Sequence, residues 1–172
     1  MNHSWLKRKI REIENFPTPG VSFKDITPLL EDGAAFRQAV DGIVAFFKNK
    51  RIDKVVGIDA RGFLLAFAVA YVLGAGMVIV RKKGKLPYET IVREHNLEYG
   101  RGTLEIHTDA IQKGEKVLVI DDVLATGGTA EAAVKLVEEL GGVLVGLGFL
   151  VELSLGGRER LMRYDVQSVM KY

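Results

Sequence analysis

The residues best equipped for chemistry stand together in VLVIDDVLATGGT, residues 117–129, where an apolar run ends in Asp121 and Asp122 and passes into a small turn. Burying an unpaired carboxylate is expensive, so two adjacent acids at the end of a buried strand must face a ligand or a cation. After them come Ala125, Thr126, Gly127, Gly128 and Thr129, the start of a helix. The first N–H groups of a helix are free, its dipole favours anions, and glycine lets a ligand oxygen approach the backbone closely. Neither common nucleotide motif fits this turn. Gly128 stands where a P-loop needs its lysine, and G-x-G-x-x-G is absent. Paired acids beside a phosphate cradle suit a ligand that carries both a phosphate and vicinal sugar hydroxyls, because carboxylates accept hydrogen bonds from hydroxyls.

A second such place is VVGIDARGFL, where a short strand ends in Asp59, Ala60, Arg61 and Gly62 before another helix begins. This is again an anion-ready helix start, now with a guanidinium beside it. A third stretch, RKKGKLPYETIVREHNLEYGRG (81–102), is polar and without clean periodicity, and reads as a mobile excursion. Arg81, Lys82, Lys83 and Lys85 crowd one end of it with positive charge. A fourth, GVSFKDITPLL, offers the ring of Phe23 and the charge of Lys24.

The elements that must position these residues are legible around them. KVVGI (54–58), MVIV (77–80), TLEIH, KVLVID (116–121) and VLVGLGFLVEL (143–153) are strand-like. GFLLAFAVAYVLG (62–74) and GTAEAAVKLVEELGG (128–142) read as helices, and Phe36, Val40, Ile43, Val44 and Phe47 recur at helical spacing over 34–50 with Asp32 placed to cap. Residues 16–33 hold three of the four prolines and read as an ordered but irregular loop after a short N-terminal helix. Apolar strands alternating with helices predict a central, mostly parallel sheet covered on both faces, an α/β fold whose ligands bind at the carboxyl ends of the strands.

Composition narrows the function classes. At 172 residues the chain is expected to form one domain, with 1–33 as N-terminal helix and hood and 81–102 as a loop. With 24 Lys+Arg against 22 Asp+Glu, a broad nucleic-acid surface is not expected. The absence of cysteine excludes a disulfide framework and a thiol nucleophile. No apolar run reaches the roughly 20 residues of a membrane helix, and no secretory signal is evident, so a cytoplasmic protein is expected.

VLVIDDVLATGGT resembles the signature of the type I phosphoribosyltransferases, which bind 5-phosphoribosyl 1-pyrophosphate. FPTPGVSFKDITPLL, GIDARGFL, RKKGKLPYET, LEYG and TLEIHTDAI, in this order, resemble the adenine-using branch of that family over nearly the whole length. The resemblance implies transfer of the phosphoribosyl group to adenine, giving AMP and pyrophosphate in purine salvage. It implies that Asp121 and Asp122 contact the ribose hydroxyls and that Ala125, Thr126, Gly127, Gly128 and Thr129 hold the 5′-phosphate. By the same resemblance Asp59, Ala60, Arg61, Gly62, Arg81, Lys82, Lys85 and Tyr99 face the pyrophosphate, and the 59–62 loop often contains a cis peptide. Ser22, Phe23, Lys24 and Leu124 would line the purine. The 81–102 segment would close over the reacting atoms, bringing Glu98 to the purine edge as general acid/base. Magnesium would be held by substrate oxygens and water rather than directly by side chains. A homodimer is implied too.

Three positions depart from the family's usual pattern: Lys24 stands where arginine is common, Tyr88 where glycine is, and His95, expected at the surface, where tyrosine is. The alternatives are the same transfer to hypoxanthine or guanine, and a regulatory module that senses the phosphoribosyl ligand without catalysis.

Overall fold

The computed structural model describes residues 3–96 and 101–172. Helix α1 (His3–Lys7), strands β1 (Arg11–Glu14) and β2 (Ser22–Asp25) and the short helix α2 (Thr27–Glu31) form the N-terminal part. Then come α3 (Gly33–Phe47), β3 (Lys54–Ile58), α4 (Gly62–Leu73), β4 (Gly76–Lys82), β5 (Thr90–Asn96), β6 (Arg101–His107), β7 (Lys116–Leu124), α5 (Gly128–Glu139), β8 (Val143–Glu152), α6 (Gly157–Arg160) and β9 (Val166–Lys171).

Seven strands form one sheet in the order β5-β6-β4-β3-β7-β8-β9, while β1 and β2 pair separately as an antiparallel ribbon. β4, β3, β7, β8 and β9 run parallel, and β6 and β5 extend the sheet antiparallel. The fold class expected from sequence is therefore the one found. Val55, Leu118, Ile120 and Val151 pack with α3 and α4 on one face. Val56, Ile58, Val119 and Phe149 pack with α5 on the other. Strands buried on both faces cannot alternate, which is why they read as unbroken apolar runs.

Asp32 caps α3 as its position suggested, accepting from Ala34 N at 3.0 Å and Ala35 N at 3.1 Å. Two expectations need correction. Residues 16–33 are not irregular throughout: β2 pairs with β1, and Asp25 accepts from Thr27 N at 2.9 Å at the start of α2, where Pro28 is tolerated in the first turn. The 81–102 stretch is also more regular than its polarity suggested, since Thr90 to Asn96 pair with His107 to Arg101. At an outer position in the sheet both strand faces can be polar, so the two-residue period leaves no hydrophobic trace.

The chain leaves β3 toward β4 on one side of the sheet and later returns as β7 on the other. The carboxyl ends of β3 and β7 thus flank the point where strand order reverses. A crevice opens there in folds of this kind.

Candidate active site

The two anion-ready turns lie at that point. Asp59 to Gly62 follow β3 and lead into α4, and Ala125 to Thr129 follow β7 and lead into α5. A cavity of about 840 Å³ lies over them. It brings together Ser22, Phe23 and Lys24 from the hood, Asp59, Ala60 and Arg61 from the first turn, Lys82 from β4, and Asp121, Asp122, Ala125 and Thr129 from the second. A smaller concavity of about 70 Å³ continues from it, walled by Thr126, Gly127, Gly128 and Leu124. Gly127, with φ of 78°, adopts the left-handed conformation that brings the chain into α5.

The acids are held tightly. Asp121 Oδ1 accepts from Asp122 N at 2.9 Å. Gly62 at the start of α4 abuts the same oxygen: a Cβ at that position would stand 2.5 Å from it. Burial, and next the neighbouring charge of Asp122, push the Asp121 carboxyl well above its ordinary pKa. Burial also raises Asp122, but the Arg61 guanidinium opposes this. Arg61 Nε lies 2.8 Å from Asp122 Oδ2, close enough for charge attraction. That oxygen has no aligned hydrogen bond among the described residues, so it keeps a lone pair for a hydroxyl.

Arg61 also reaches the hood. Its guanidinium carbon lies 4.7 Å from the Phe23 ring centroid, and Nη1 approaches the Lys24 carbonyl at 3.4 Å. Phe16 meets the Phe23 ring edge-on at 5.1 Å. The amine of Lys24 is occupied elsewhere: it pairs with Glu12 at 2.8 Å and sits 4.9 Å from the Tyr172 ring centroid. What Lys24 presents to the cavity is therefore mainly backbone and stem. The Asp59–Ala60 peptide is cis.

Several other expected residues stand behind the cavity wall. Arg81 pairs with Asp59 at 3.1 Å and donates from Nη1 to the Lys85 carbonyl at 3.2 Å. Lys85 is exposed beyond it. Leu124 is buried beside the 125–129 turn, while Val123 and Leu153 line the main cavity. Glu98 and Tyr99 lie outside the described residues. His95 corrects its expectation of a surface position: it is half-buried, lines the cavity, and burial lowers its pKa, favouring neutral imidazole. Among the described residues, no group of three or more His, Asp or Glu could hold a metal ion on its own.

Sequence reading missed the support beneath the 125–129 turn. A Cβ on Gly157 of α6 would come within 2.3 Å of the Ala125 carbonyl oxygen, and Arg160 donates from Nη1 to the Thr126 carbonyl at 3.4 Å. The two segments are far apart in sequence and only their packing reveals the link. The glycine pair at 156 and 157 was the one available signal.

Residues 29–169, most of the chain, match the phosphoribosyl transferase domain. The chain belongs to the phosphoribosyl transferase family. Among members of this family, the adenine phosphoribosyltransferase of Clostridium botulinum (strain Loch Maree / Type A3) is 54% identical over 168 residues, covering 97% of this chain and 98% of the relative. The crystal structure of adenine phosphoribosyltransferase from Rhodothermus marinus superposes with a TM-score of 0.95 at 49% identity, covering 99% of this chain and 98% of that one. The Saccharomyces cerevisiae phosphoribosyltransferase crystallised with adenine and an imino-altritol bisphosphate superposes with a TM-score of 0.90 at 37% identity, over 97% of each chain. The phosphoribosyl transferase resemblance drawn from VLVIDDVLATGGT thus holds across the whole fold.

Proposed function

We propose that the chain transfers the phosphoribosyl group of 5-phosphoribosyl 1-pyrophosphate to adenine, releasing AMP and pyrophosphate in purine salvage. The observation that carries this reading is the pairing of two anion-binding turns on adjacent strands, with Asp121 and Asp122 between them and Phe23 above. That spacing suits a sugar with phosphate at each end and a flat base beside it. Relatives of this length named as adenine phosphoribosyltransferases support the choice of base.

In the reaction, N9 of adenine bonds to the anomeric carbon while the pyrophosphate oxygen departs with the bonding electrons and the N9 proton is lost. Thr126 to Thr129 anchor the 5′-phosphate on backbone N–H groups, and Asp121 and Asp122 orient the ribose hydroxyls. As the sugar becomes cationic, the two carboxylates oppose that charge from a poorly solvated site, where electrostatic stabilisation is strongest. Ala60, Arg61, Gly62 and Lys82 receive the leaving pyrophosphate, with Asp59, Arg81 and Lys85 shaping that end. Glu98 serves as proton acceptor or donor at the purine, and Tyr99 serves the pyrophosphate end. Ser22, Phe23, Lys24 and Leu124 form the base end.

Magnesium would be held by substrate oxygens and water, with the acids Asp121 and Asp122 acting through water, and when bound with substrate it would neutralise pyrophosphate charge. We place the protein in the cytoplasm; no described helix is long and apolar enough to cross a membrane. A homodimer is supported by α4, whose outer residues Leu64, Phe67, Tyr71 and Val72 are all at least half exposed.

Steady-state rates with adenine, hypoxanthine and guanine test the reading. Adenine is expected to be the preferred base. Turnover confined to a 6-oxopurine overturns the assignment.

A further inference from the structure

We propose that Glu105 is a positioning residue that holds the lysine-rich turn at 83–86 in place for the pyrophosphate end of the substrate; this rests on the transferase reading above. Glu105 lies on β6 between Leu104 and Ile106, and all three are buried. A carboxylate in such a setting needs compensation. Three other buried acids, Asp25, Asp122 and Glu152, each meet an arginine, whereas no ion pair to Glu105 is found among the described residues. Its compensation comes from backbone instead. Oε1 accepts from Lys85 N at 2.7 Å and from Leu86 N at 2.8 Å, while Thr90 Oγ1 approaches Oε2 at 3.5 Å. Burial pushes its pKa up, but the amides of Gly84, Leu86 and Lys85 outweigh this and hold it below the ordinary value.

The turn gripped in this way runs from Lys82 and Lys83, which line the main cavity, to Lys85. Its other side is held as well. The Lys85 carbonyl accepts from Arg81, and Arg81 pairs with Asp59 of the first anion-binding turn. Arg81 and Glu105 are partners in the β4–β6 register, so the two strands hold the turn's carbonyl and amide sides together. Glu105 thus connects the lysine turn to the 59–62 turn without touching the ligand itself.

The test uses the full chain and variants Glu105→Ala, Glu105→Asp and Glu105→Gln. Binding of inorganic pyrophosphate with magnesium is measured by calorimetry, and KM for each substrate by steady-state kinetics. Glu105→Ala is expected to weaken pyrophosphate and raise the KM for 5-phosphoribosyl 1-pyrophosphate by about tenfold, with the KM for adenine unchanged. Glu105→Gln, which still presents an acceptor of the same reach, is expected to restore both to within about threefold of the parent. Should the alanine variant not fold, Glu105→Asp keeps the charge but draws it back from the amides, and about fivefold weaker pyrophosphate binding is expected. Equal changes in both KM values, a lower melting temperature with unaltered pyrophosphate affinity, or no rescue by glutamine overturns the proposal. Absence of adenine turnover in the parent overturns the transferase reading alone, because pyrophosphate binding still reports on Glu105.

Discussion

Gly62 and Asp121 approach so closely that the glycine leaves no space for a side chain: a Cβ on Gly62 would meet Asp121 Oδ1 at 2.5 Å and the Ile120 carbonyl at 3.2 Å. Alanine at a helix position ordinarily gains up to about 1 kcal/mol over glycine. Here the overlap with a fixed strand end dominates, and Gly62→Ala is expected to lose about 1–3 kcal/mol of stability. Because the acid must shift, the KM for 5-phosphoribosyl 1-pyrophosphate should rise too. Thermal melting and kinetics on one preparation check both; a variant as stable and active as the parent refutes the close contact.

Asp121→Asn is expected to trade activity for stability. The folded pKa of Asp121 is raised, so its contribution to stability is present below its unfolded pKa and is lost as pH rises through the folded value. At neutral pH the desolvated acid is therefore a burden that asparagine removes, while the amide oxygen can still accept from Asp122 N. The variant should melt about 3 °C higher at neutral pH, with the gain disappearing toward pH 4, and be severely impaired in turnover. A melting difference that does not change with pH excludes this account.

Arg61→Ala removes the charge that restrains the pKa of Asp122. The acidic limb of the pH–rate profile should move to higher pH, and kcat/KM should fall about 100-fold or more as pyrophosphate loses a charged partner. Arg61→Lys keeps the charge but not the planar fork, so it should lose activity with a smaller displacement of the limb. An unmoved limb in the alanine variant would show that Asp122 does not govern it.

Phe67→Glu places a charge in the exposed apolar face of α4. Light scattering after size exclusion is expected to give a dimer for the parent and a monomer for the variant. If both run as monomers, this face is not where two copies meet.

Much of the site could be read locally. The acids, the glycines and the end of β7 are consecutive residues, and a strand leading into a helix start is a pattern of a few residues. Strand β6 was anticipated as TLEIH, with Leu104 and Ile106 alternating, but its partner β5 was hidden because TIVREHN shows no repeating apolar face. Strand β9 was not anticipated: its segment VQSVMK interrupts apolar residues with Gln167 and Ser168. Glu105, Gly157 and Arg160 were hidden for another reason. Their partners, Lys85, Ala125 and Thr126, lie 20 or more residues away and are met through backbone groups, which leave no signature in residue type. Lys24 shows the opposite limit: its charge was visible, but its engagement by Glu12 and Tyr172 depends on the ribbon and the C-terminal segment meeting.

Arg61 is divided among Asp122, the Phe23 ring and the Lys24 carbonyl, which on the proposed reading belong to the sugar end and the base end of one cavity. The two ends are therefore thermodynamically linked. A ligand that draws the guanidinium toward the sugar end changes the surface offered to the base, and reciprocity requires the base to alter the sugar-phosphate affinity by the same factor. On the proposed reading, the coupling between the two substrates runs through one side chain's competing attachments.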